Sequence, residues 1–240
     1  GVLMELARAY RGAGKVEDTI NLLGHATLKL LRAAAERHSM PVEDIAKDAK
    51  TPAFLHDSIK KGLDIDWTDP KQKAGAVATL VAQIDALETW IRAHAGDAVE
   101  EPPLKGLFAL IARLRSQDLE PDPSGGGPRI REGVAEDRRV SIEDADMRHG
   151  RKSKSKRFNG FKQHLACDLD THLILACATL PANRPEQEAA PDLSRDLDRY
   201  PDRKTVGELY IDRGYVGSSL VDETLAARGE VLCKPWSSTK

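Results

Sequence analysis

"GELYIDRGYVGSSLVDETLAARGEVLC", residues 207–233, runs from a short apolar strand through a glycine-containing turn into a helix and out to a second strand. The spacing predicts strands at 207–211 and 230–233 and a helix over 219–228. Ser219 is placed to cap that helix, Asp222 lies in its first turn beside the positive end of the dipole, and Gly229 follows its last turn. Strand, helix, strand reads as a right-handed parallel unit. Asp212 is the first position after the apolar strand, and ligands of open α/β sheets collect at the carboxyl ends of strands. A carboxylate there can hold a divalent cation, although cations that act on phosphates are usually held by two or more acids. The same aspartate could equally cap its own turn.

Upstream, "FKQHLACDL" (161–169) and "HLILACATL" (172–180) are strand-length runs separated by Asp170 and Thr171, a hairpin with a two-residue turn. The second run is apolar on both faces, as in a central strand. A polar helical stretch follows at about 184–199. This half of the chain is therefore mixed α/β.

The hairpin is preceded by "MRHGRKSKSKRFNGFKQH" (147–164), with seven lysines and arginines in eighteen positions and no acid, inside a chain of net charge -2. Basic runs in loops are usually solvated surface. Here Phe158 and Phe161 interleave with the charge, and the run leads directly into a strand, so the cations are held near a sheet edge. Such side chains can position a phosphate backbone without reading bases.

The first half has a different period. Ile20, Leu23, Thr27, Leu30 and Ala34 mark one face of a helix over 16–38. Val77, Leu80, Ile84, Leu87 and Ile91 mark a second over about 75–95, stopped by Gly96, and Leu104, Leu107, Ile111 and Leu114 a third over about 103–116. These stripes suit a small bundle, and the same seam could also form a homodimer. Between the first two helices the sequence offers short helical turns. From Glu120 to Gly150 proline and glycine cluster and periodicity vanishes, as in a linker or long surface loop.

Composition bounds the rest. At 31 % charged and 40 % apolar, 240 residues suffice for a folded core. No run reaches the ~18 apolar residues of a membrane helix, and "GVLMELARAY" lacks a signal-peptide core, so a cytoplasmic protein is expected, nucleoid-associated when bound to DNA. Cys167, Cys177 and Cys233 have no CxxC spacing and read as reduced, buried thiols. "GAGK" (12–15) lacks the full phosphate-loop spacing, no GxSxG supports acyl transfer, and no histidine pair has metal spacing. His25 and His164 read as helix-surface or sheet residues.

Two stretches together, "DADMRHGRKSKSKRFNGFKQHLACDLDTHLILACATLPANRPE" and "YIDRGYVGSSLVDETLAARG", resemble the DDE transposases of bacterial insertion sequences. "GAGKVEDTINLLGH" is similar to the segment that follows the first catalytic strand in one branch of that family. The resemblance implies an RNase H-like mixed sheet interrupted after its first strand by a helical insertion. Residues 1–13 would be a remnant of the first core strand region, 14–117 the insertion, 118–147 a linker and 148–240 a core segment. It also implies DNA cleavage and strand transfer by acids holding Mg2+ or Mn2+, with Asp212 the second acid and sole metal ligand here. Arg148, Arg151, Lys152, Lys154, Lys156, Arg157, Lys162, Arg213 and Tyr215 would then lie along double-stranded DNA, either transposon end or target. The first acid should precede "YRGAGKVEDT", where Glu5 is the only acid, and the third has no counterpart before Lys240. The sequence thus reads as an incomplete transposase, inactive alone, or alternatively as a non-catalytic DNA-binding or dimerising remnant.

Overall fold

The computed structural model describes residues 2–11, 14–152, 155–200 and 206–235. The chain divides into two compact units, Gly1–Ala13 with Asp146–Lys240, and Gly14–Ala145. The architecture is mixed helix and sheet, as the sequence indicates.

In the first unit a sheet is built from β1 (Val2–Arg11), β4 (Arg148–Arg151), β5 (Arg157–Asp168), β6 (Ile174–Pro181), β7 (Glu208–Ile211) and β8 (Glu230–Cys233), once the intervening strands β2 (Leu119–Pro121) and β3 (Pro128–Ile130) are counted in chain order. The path is β4-β5-β1-β7-β8, with β6 also on β5. β1 runs antiparallel to β5, Leu3 opposite Asp168 and Arg11 opposite Gly160, and parallel to β7, Val2 opposite Glu208 and Met4 opposite Tyr210. β7 and β8 are parallel, joined by α7 (Ser219–Ala226), so the strand, helix, strand reading of 207–233 is observed. The cap shifts by one position: Ser218, not Ser219, holds the extended N-cap conformation.

Two hairpin readings need correction. The β5–β6 turn is longer than two residues, because Asp168 accepts from Asp170 N (3.0 Å) and Thr171 Oγ1 (3.0 Å) while His172 takes a positive φ of 59°. Those local bonds offer the backbone an alternative to the strand ladder. β6 is also not central: it pairs with β5 alone, and its residues alternate, Ala176 and Ala178 buried, Ile174 and Cys177 exposed. The short apolar run reflects small residues on the core face rather than burial on both. The polar helical stretch becomes a 3-10 turn at Glu186–Ala189 and α6 (Ala190–Leu197), which packs on β5 and β6 through Ala190, Leu193 and Leu197. The thiols are free, but Cys177 is exposed and Cys167 and Cys233 half-buried, so they are not core residues.

The second unit is helical. α1 (Thr19–His38), α2 (Val42–Asp48), α3 (Ile59–Gly62), α4 (Pro70–Ala95) and α5 (Leu104–Asp118) surround one core. Asp18 caps α1 by accepting from Asn21 N at 3.0 Å. Every stripe residue of α1 and α4 named from the sequence is buried, as are Leu104, Ile111 and Leu114 of α5. The segment read as a linker carries the β2–β3 ribbon and then a return past α5 that side chains hold in place. Asp118, 5 % exposed, receives Arg138 Nε and Nη2 at 2.7 Å each and Thr19 Oγ1 at 2.9 Å. Gln117 bonds both N and O of Arg139 at 3.0 Å. Buried polar groups satisfied this way order a segment that hydrophobic period cannot reveal. Among the described residues no helix is long and apolar enough to cross a membrane.

Removing one partner of a buried pair strands the other charge. Asp118→Ala is therefore expected to lower stability by about 3 kcal/mol, measured as the shift of the urea midpoint at constant slope.

Candidate nucleic-acid and metal site

β7 ends at Ile211 and the chain turns immediately into a 3-10 turn, Arg213–Tyr215. Asp212 is exposed and caps that turn, its Oδ1 accepting from Arg213 N at 2.7 Å. The capping reading of this residue is thus observed: one oxygen is engaged by the backbone at a strand's carboxyl end, and the residue is exposed.

Three contacts hold the turn. Tyr215 is fully buried, with Oη 2.6 Å from Nδ1 of the equally buried His164 on β5. Gly214 stands where a Cβ would collide with Glu186 Oε2, so only glycine lets that carboxylate approach. Gly217 similarly faces Gln187 Oε1, at 2.8 Å from an added Cβ. Glu186 is anchored in turn by Lys162, whose Nζ lies 3.7 Å from Oε1 and donates to Arg184 O at 2.9 Å. Glu186 escaped the sequence reading. Its only signal there was an acid just after the second strand of the hairpin, 26 positions from Asp212.

The basic residues divide. Arg151, Lys152, Lys156 and Arg157 are exposed around the β4–β5 turn, closed by Lys152 N donating to Lys156 O at 2.8 Å. Arg213 is half-buried, and Lys162 is committed to Arg184 and Glu186. Arg148 is 6 % exposed, its Nη1 donating to Met147 O, and Tyr215 is buried completely. Those two sit beneath the surface, because alternation along β4 turns Arg148 inward and Tyr215 is packing for the turn, so the fold does not present them as it does the exposed cations. Lys154 lies outside the described residues.

The register puts Asp212 and the basic turn toward the same end of the sheet. Asp212 follows the β7 residues aligned with Val2–Met4, and Gly160 pairs with both Arg11 and Arg148. From the level of Leu6 to that of Arg11 the strand advances about 17 Å, and the Arg151–Arg157 pair lies three residues farther along, about 10 Å more.

Residues 126–239 match the family model described as Transposase DDE domain. Through that stretch, a little under half of its length, the chain is similar to the DDE transposase family. No curated protein and no solved structure matches it. Transposition is the process this family serves, and its members generally use a divalent metal. The donor set here does not complete such a site: among the described residues no three His, Cys, Asp or Glu side chains converge to hold an ion. Glu186 is the carboxylate that lies against Gly214, two residues after Asp212.

Two measurements follow from this turn. Burial disfavours the charged form of His164, and Lys162 adds to the effect, lowering its pKa from 6.5 to about 4. The folded pKa being depressed, the unfolded chain binds more protons between those values, so the contribution to stability is complete above pH 6.5 and is lost as pH falls toward 4. His164→Gln should flatten the pH dependence of the urea midpoint in that window, the difference being on the order of 3 kcal/mol between the two ends. Gly214→Ala should cost about 1–3 kcal/mol by overpacking against Glu186, and adding Glu186→Ala should recover most of it, read as a double-mutant cycle.

Proposed function

We propose that this chain is a DNA-binding transposase domain with an RNase H-like sheet, in which Asp212 is a divalent-cation ligand for phosphodiester cleavage and strand transfer. The strand order supports the fold: a β1–β5–β6 antiparallel set followed by β7 and β8 parallel to β1, interrupted after β1 by the helical unit. The observation that carries the functional reading is the exposed Asp212 at the carboxyl end of β7, beside central β1, within the family-matched residues. Mg2+ or Mn2+ bound there would polarise a phosphate oxygen. The protein's own part is to hold the Asp212 carboxylate still through Tyr215, Gly214 and Arg213 N, and to place cations along the backbone of duplex DNA at transposon end or target.

A second reading, DNA binding without cleavage, is favoured by one observation: no third donor joins Asp212 and Glu186 among the described residues. Homodimerisation remains part of that reading. A manganese-dependent nicking assay on end-bearing DNA separates the two. Nicking by the wild type that Asp212→Ala abolishes supports cleavage; binding without nicking supports the second reading; equal nicking by both proteins removes Asp212 from the chemistry.

In either case the exposed cations act through counterion release. Replacing Arg151, Lys152, Lys156 and Arg157 by alanine should weaken duplex binding uniformly across sequences and reduce the log-log salt slope by about 0.9 for each phosphate that is no longer neutralised, measured by fluorescence anisotropy.

A further inference from the structure

Within the helical unit lies a cavity of about 290 Å³ that the transposase reading does not use, lined by Lys15, Glu17, His25, Lys29, Arg32 and Ile142 among others. Its walls are fixed. Glu17 N donates to Val140 O at 3.0 Å, tying the segment before α1 to the return segment. Arg139 donates to Ser141 O at 2.7 Å and to Ile142 O at 2.8 Å, which sets the opposite wall. α1 presents His25, Lys29 and Arg32 on one face at steps of four and three, with Leu28 beside them.

The floor is chemically incomplete. Glu17 is 7 % exposed; its Oε1 meets His25 Nδ1, while Oε2 is buried with no partner among the described residues. A buried carboxylate oxygen without a donor carries its full desolvation cost, and since Oε2 has no accessible surface as it stands, an N–H would relieve that cost by drawing the Glu17 carboxylate round to meet it. Lys15, Lys29 and Arg32 are exposed and make no ion pair among the described residues. Asp57 and Glu143 also line the opening and are exposed. Charges of both signs disfavour a simple anion, and the lack of a three-donor cluster among the described residues disfavours a metal. What complements the site is one molecule with a nitrogen donor for Glu17 at one end and an anion for Lys29 and Arg32 at the other. An arginine and two lysines around one opening suit phosphate, with its several acceptor oxygens, better than carboxylate. The volume lies at the small end of ligand pockets, admitting a mononucleotide or something smaller.

We propose that this cavity binds a small phosphate ester that also carries an amino group. Two sources share that chemistry, a phosphorylated amine and an amino-bearing nucleotide. The test is an amide-resolved NMR titration of the full chain with O-phosphoethanolamine, dCMP and inorganic phosphate. Both amino phosphates are expected to shift the amides of Glu17, His25 and Lys29, saturating at concentrations at least about tenfold below inorganic phosphate, and the tighter one identifies the source. Glu17→Gln should abolish that preference. Lys29→Ala with Arg32→Ala, both exposed and safe for folding, should weaken all three probes by about tenfold or more. The proposal is overturned by inorganic phosphate binding as tightly as the amino phosphates, by a preference that survives Glu17→Gln, by unchanged affinity in the Lys29 and Arg32 double variant, or by no shifts below about 10 mM. DNA binding by the basic turn is measured separately and does not bear on the result.

Discussion

The pairing of β1 along both of its edges is the constraint on which the sheet depends. Its backbone groups are met on one side by Gly160–Asp168 and on the other by Glu208–Tyr210. Val2–Met4 are opposite partners on β7, and Leu3–Arg11 are paired along the β5 edge, with residues more than 140 positions away. Entropy of closing so long a loop grows only logarithmically with its length. An intervening unit is therefore tolerated, provided it does not leave apolar surface of its own uncovered. The parallel neighbour matters most, because β7 alongside β1 is what brings Asp212 to the middle of the sheet's carboxyl end.

The two cores meet their needs differently. Residues 14–145 bury leucines and isoleucines in quantity, from Leu22 to Leu114, in one core. The sheet's core is built largely of alanine, with Ala166, Ala176, Ala178, Ala189 and Ala190 among its members. Small residues on β5, β6 and α6 let the helix lie close, and Tyr215 is the largest fully buried side chain among the described residues. A Tyr filling that space contributes apolar area and needs a partner for its hydroxyl, which His164 supplies. Position in this small-residue core, rather than exposure to nucleic acid, explains why an aromatic follows the glycine of the turn.

What the sequence disclosed follows from how local each signal is. The α1 and α4 stripes and the β7–α7–β8 unit are set by spacing within a dozen residues, and they stand as read. β1 has no such signal: "VLMELARAYR" would suit a helix as well, and long-range pairing decides it, so only family resemblance placed a strand there. Residues 118–147 lost their periodicity yet are ordered, because Asp118, Gln117, Arg138 and Arg139 make bonds that no hydropathy pattern encodes. Arg148 and Tyr215 were assigned outward by their neighbours in sequence, whereas burial is decided by which strand face and which core lie beneath. Glu186 was invisible for the complementary reason: its nearness to Asp212 depends on a glycine whose missing side chain leaves room.

The tetrad Asp212, Arg213, Gly214, Tyr215 then divides into one outward group and its supports. Asp212 Oδ1 accepts from the amide of the very next residue, and the residue is exposed. Gly214 admits Glu186, so a second negative charge stands two residues away without touching the backbone bond. Lys162 lies beside Glu186 and partly neutralises its charge. Tyr215 fastens the far end of the turn to β5 through a histidine that burial keeps neutral at physiological pH. An acid on a turn held at these points has less conformational freedom left to lose than one on a free loop, which is the physical consequence of packing Tyr215 beneath it.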